Sequence, residues 1–78
     1  MQLEIITPDA KLFNGEVISI KLPGVRGSFQ VLNQHAPIIS TLTSGTISVS
    51  TEHGNPQFFD INSGVVEVQN NKIIILAD

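Results

Sequence analysis

An all-β domain is what this sequence predicts, on three observations. Val, Ile and Thr supply 23 of the 78 residues, and β-branched side chains fit a pleated, half-buried surface better than a helix. Turn signals recur at strand spacing: Thr7-Pro8-Asp9, Asn14-Gly15, Pro23-Gly24, Ala36-Pro37, Thr43-Ser44-Gly45, His53-Gly54-Asn55-Pro56, Ser63-Gly64 and Asn70-Asn71. Between them apolar and polar residues alternate, and no long helical pattern, internal repeat or low-complexity segment interrupts them. About eight strand candidates result, and short strands with turns roughly every eight to twelve residues indicate a sandwich or barrel.

Taken in order, Ile18, Ile20 and Leu22 share one face of the first clearly alternating strand, with Ser19 and Lys21 on the other. Residues 24–42 form a turn-bounded strand, a His-Ala-Pro corner and another apolar strand. Gly24 and Gly27 permit backbone conformations that a side chain would penalise, and Phe29, Val31 and Leu32 give the strand between them and the corner a reason to be buried. Pro37 fixes its own φ and drives Ala36 towards extended geometry, so His35 sits at a defined corner where it either orders its own loop or meets a partner. Ile47 and Val49 then face inward with Thr46, Ser48 and Ser50 outward, and Val66 and Val68 alternate with Glu67 and Gln69.

Strands over 65–69 and 72–77 flank Asn70-Asn71, and asparagine tolerates the positive φ that a two-residue hairpin requires. Ile73, Ile74, Ile75 and Leu76 break the alternation, so that strand is either covered on both faces, the expected case, or offers one apolar face to another protein.

Seventy-eight residues support one core, and residues 1–78 read as a single domain. With no cysteine and only His35 and His53 as histidines, the chain has no disulfide staple and no zinc-ligand spacing. Lys11, Lys21, Arg26 and Lys72 are scattered among seven acidic residues, which argues against nucleic acid as a partner. No apolar run approaches the roughly 18 residues of a membrane helix.

Chemistry has no foothold in the pattern. No serine sits in a nucleophile-elbow context, and the two histidines lie on separate loops. The glycine loops at 24–27 and 64 open strands instead of cradling phosphate at a helix start. Glu16 and Glu67 read as solvated charges. No catalytic residue, cofactor or metal is expected. A small hydrolase using His35 as its base ranks last among the alternatives. An unrelated β-sandwich module for a small ligand or carbohydrate would want exposed aromatic platforms, yet there is no Trp or Tyr, and Phe13, Phe29, Phe58 and Phe59 read as mostly core-bound.

Several segments, in order and spacing, carry a resemblance. They are Leu3-Glu4-Ile5-Ile6-Thr7-Pro8, Leu12-Phe13-Asn14-Gly15-Glu16-Val17, Leu22-Pro23-Gly24, Gly27-Ser28-Phe29-Gln30-Val31-Leu32 with His35-Ala36-Pro37, Gly45-Thr46-Ile47, Ser63-Gly64-Val65-Val66-Glu67-Val68 and Ile75-Leu76-Ala77-Asp78. Over essentially its whole length the chain resembles the N-terminal β-sandwich domain of the ε subunit of F-type ATP synthases, called δ in mitochondria.

The resemblance implies a two-sheet sandwich of about ten strands at the foot of the rotating central stalk, a monomer when isolated. One side would pack on the γ subunit and the loop end on the polar loops of the membrane c ring, passing on torque from proton or sodium flow. Such a subunit is non-catalytic and peripheral to the membrane through its complex, on the cytoplasmic face in a bacterium. The c ring contact would fall on Gly27, Ser28, His35, Ala36 and Pro37, and Val65, Val66 and Val68 are strand positions near γ.

The family often has an acidic residue at Ser28, a glycine at Gln30, and Pro-Gly at Asn33-Gln34, so the charge at the ring contact and the turn before His35 depart from its pattern. The C-terminal helical hairpin by which many bacterial members inhibit hydrolysis, and in which residues for ATP largely lie, has no counterpart in these residues, so a coupling subunit without that arm is expected.

Overall fold

The computed structural model describes residues 1–78, in nine strands: β1 (Gln2–Ile6), β2 (Lys11–Glu16), β3 (Ser19–Gly24), β4 (Gly27–Leu32), β5 (Ile38–Leu42), β6 (Gly45–Ser50), β7 (Gln57–Ile61), β8 (Gly64–Gln69) and β9 (Lys72–Ala77). The all-β expectation holds, with nine strands where the resemblance implied about ten. Asn70 and Asn71 take φ of 53° and 60° and close the β8–β9 hairpin in the register Gln69 opposite Lys72, as their tolerance of the left-handed region predicts.

Hydrogen bonding runs unbroken in the order β2-β1-β9-β8-β5-β3-β6-β7, with β4 on the side of β3. The path nevertheless makes two layers. Strand β3 turns the corner: Ser19 to Lys21 pair with β6, whereas Gly24 lies opposite Leu42 of β5. The Val25 N–H to Thr41 and Thr43 N–H to Pro23 carbonyl bonds, 3.2 and 2.8 Å, stitch that corner. At the far side, Phe13 of β2 meets Phe59 of β7 edge-to-face, with ring centroids 6.1 Å apart. These strands stand at opposite ends of the hydrogen-bonding path, so their contact requires the sheet to fold back on itself. Layer one is thus β2-β1-β9-β8-β5 and layer two is β4-β3-β6-β7, a sandwich by packing with one shared corner.

The core between the layers is sixteen buried apolar residues with no buried polar side chain. Layer one contributes Leu3, Ile5, Leu42, Val66, Val68, Ile73, Ile75 and Ala77, and layer two Ile20, Leu22, Val31, Ile47, Val49 and Ile61. Burying each Leu or Ile contributes on the order of 2 kcal/mol. All pairings are antiparallel except β1 with β9, so the loops collect at two ends. One end carries residues 7–10, 25–26, 43–44 and 62–63. The other carries 17–18, 33–37, 51–56 and 70–71.

Three local expectations are corrected. Asn14-Gly15 is not a turn: it lies within β2, with Gly15 opposite Leu3, because the chain has already reversed at residues 7–10. Ile18 does not share the inward face of Ile20 and Leu22. The chain bends at 17–18, where the Val17 N–H bonds the Met1 carbonyl, so Val17 is buried and Ile18 points out. Leu32, at the end of β4, is exposed as well.

Candidate docking surfaces

Five residues expected to share one contact are divided between the two ends of the molecule. Gly27 and Ser28 begin β4 beside the 25–26 turn, whereas His35, Ala36 and Pro37 follow its end. A six-residue strand separates the two groups by roughly 17 Å, so one contact takes in both only where the partner's surface runs along β4. Gly27 earns its place by a φ of 124°, which completes the hairpin turn after Val25 and Arg26.

The His-Ala-Pro corner is tied down from within. Gln34 sits at φ 63°, its N–H donating to Asn71 Oδ1 at 2.8 Å, and Asn71 Nδ2 donates to Asn33 Oδ1 at 2.8 Å. The His35 N–H bonds the Leu32 carbonyl at 3.2 Å, and His35 Nδ1 lies 2.7 Å from the Ala36 carbonyl oxygen, to which the Nδ1–H tautomer donates. His35 therefore orders its own loop. At the opposite end, the side chains of Arg26, Ser28, Ser44, Asn62 and Ser63 form no hydrogen bond or ion pair within the domain. Their polar groups are open to a polar surface.

Valines 65, 66 and 68 do not share a face. Val66 and Val68 fill the core, as strand alternation demands, and only Val65 is exposed. A docking face on β8 therefore includes Val65 and excludes the other two. The residues that do join Val65 come from its neighbours in register. One row across layer one reads Ile6, Leu76, Val65, Thr41, and the next reads Glu4, Ile74, Glu67, Ile39. Ile39 is 74% exposed, Leu76 57% and Val65 42%. Ile73 and Ile75 point inward from the same strand, so β9 is covered by its own domain on one face only, and the expected burial of both is corrected for Leu76. The strand's unbroken apolar run was the signal for this face.

The outer face of layer two is of another kind. Gln30, Lys21, Ser48 and Phe58 form one row, and Leu32, Ser19 and Ser50 the next. Phe58 is 66% exposed, which corrects its assignment to the core: it neighbours Phe59 on a strand, and only one of the two can face inward. One phenyl ring among serines and a lysine is a poor sugar platform.

Comparison with known proteins gives a consistent result. A family profile described as "ATP synthase, Delta/Epsilon chain, beta-sandwich domain" matches residues 1–78. The chain is 41% identical over 78 residues to the ATP synthase epsilon chain of Sulfurimonas denitrificans, covering 100% of this chain and 60% of that protein. It is 39% identical over 77 residues to the epsilon chain of Chlorobium limicola, covering 99% and 88%. The chain thus spans about 60% of the length of the Sulfurimonas relative and most of the Chlorobium one. Among solved structures, a chain of the Euglena gracilis mitochondrial ATP synthase, determined with its OSCP, F1 and c-ring, superposes with a TM-score of 0.89 at 23% identity, covering 96% of this chain and 48% of that one. A chain of the Tetrahymena thermophila central stalk and c-ring structure gives 0.83 at 20%, covering 97% and 61%. At such identities these two matches concern the fold.

Proposed function

This chain belongs to the ATP synthase delta/epsilon family, as its β-sandwich domain, and on that premise we propose that it is a non-catalytic rotor part that joins the γ subunit to the c ring. The observation that carries the reading is the apolar outer face of layer one. Ile39, Val65 and Leu76 stand exposed on adjacent, register-locked strands, and such a face is stable in water only at a cost that a partner removes. Two hydrogen-bonded layers on one apolar core give the stiffness a torque-bearing link requires. The subunit is then peripheral to the membrane through its complex, on the cytoplasmic side in a bacterium.

Gly27 and Ser28 are the better candidates for the c ring. The polar side chains around them are unspent, whereas near Ala36 and Pro37 those of Asn33, His35 and Asn71 are bonded within the domain. Calorimetry and size-exclusion chromatography with purified γ from the same organism test the main reading. A one-to-one complex is expected, weakened at least about tenfold, or ~1.4 kcal/mol, by Ile39→Ser with Leu76→Ser and unchanged by Phe58→Ser. No complex between well-folded partners would overturn it.

A further inference from the structure

We propose that Glu67 sets the register of the partner on the apolar face of layer one, by pairing with a single arginine or lysine side chain that γ carries among apolar residues. The inference rests on the γ reading above and adds the chemistry of the partner to it.

Glu67 projects from β8 between Ile39 of β5 and Ile74 of β9, its register partners on either side. Its carboxylate has neither a hydrogen bond nor an ion pair inside the domain. The other acid of the same row, Glu4, is already closed: Lys11 Nζ lies 3.3 Å and Lys72 Nζ 3.9 Å from its oxygens. The face therefore presents one neutralised carboxylate at its border and one free carboxylate near its centre. A shallow, largely open depression lined by Pro37, Ile38, Ile39, Glu67, Val68 and Gln69 lies beside the free one.

A partner that covers Ile39, Val65 and Leu76 also removes water from Glu67. A carboxylate desolvated without a counter-ion opposes binding, so an uncharged apolar cover would be rejected here and a cation accepted. Arginine suits the position best, because its weakly hydrated planar group can bond both carboxylate oxygens while its stem lies along the isoleucines. An apolar face alone would allow the partner to slide along the strands. One fixed charge near its centre removes that freedom.

The test is the affinity for γ of wild type, Glu67→Gln and Glu67→Lys, each first shown by thermal unfolding to be folded, at low and high salt. The expected result is a loss of about tenfold for Glu67→Gln and about a hundredfold for Glu67→Lys, with binding to Glu67→Lys restored when one basic residue of γ is changed to glutamate. If both variants bind like wild type while Ile39→Ser with Leu76→Ser weakens binding, the face is right and the role of Glu67 is overturned. If wild type itself fails to bind γ, the γ reading falls, and this inference with it.

Discussion

Gln34 holds a conformation that suits glycine. At φ 63° its Cβ crowds the backbone, at about 1–2 kcal/mol for an L-residue, and the Asn71 Oδ1 acceptor on its N–H offsets part of that. The side chain itself is exposed and makes no bond. Gln34→Gly is therefore expected to raise stability by about 1 kcal/mol, read as a shift of the urea midpoint at constant slope. An unchanged or lower midpoint would show that the strain is not there. The resemblance pointed to this site, since the family commonly has glycine there. It did not show that a side chain 37 positions away would hold the substitute in place. Gly24 and Gly27 look alike in the sequence, but only Gly27 needs its positive φ. Gly24 is required for space: a Cβ there would lie 2.7 Å from the Gly27 carbonyl oxygen and 2.8 Å from the Phe29 ring. That distinction depends on packing across strands, which no local pattern contains.

Strand β9 shows what a run of apolar residues does in a two-layer fold. Ile73 and Ile75 lie in the core without exposure, and Leu76 stands outside. Ile75→Ala is expected to cost about 2–5 kcal/mol through lost burial and the cavity it leaves, and Leu76→Ala less than about 1 kcal/mol in the isolated domain. Equal losses in denaturant unfolding would mean that the outer face is covered within the domain. The alternation of 46–50 and 64–69 and the hairpin at 70–71 were legible because each is local: a period of two, or a residue type suited to positive φ. Asn14-Gly15 misled because a good turn pair does not turn where an edge strand is already paired with its neighbour. The separation of Gly27 and Ser28 from His35, Ala36 and Pro37 was there to be read in the length of the strand between them. The resemblance grouped the five by the partner instead.

The whole molecule is a sandwich whose corner is shared by β3 and whose open side is closed by Phe13 against Phe59. Class and approximate strand number followed from composition and turn spacing, whereas the corner, which makes one hydrogen-bonded path into two layers, depends on long-range pairing. The two outer faces differ as a rotor link with one protein partner on its flank would require: apolar around one free carboxylate on layer one, hydroxyl-rich with Phe58 and Leu32 set apart in separate rows on layer two. Methyl NMR of the domain titrated with γ tests this most directly. The signals of Ile39, Val65 and Leu76 are expected to shift or broaden on binding while those of Leu32 and Ile18 stay in place. Perturbation of Leu32 and Ile18 with Ile39, Val65 and Leu76 unmoved would contradict it.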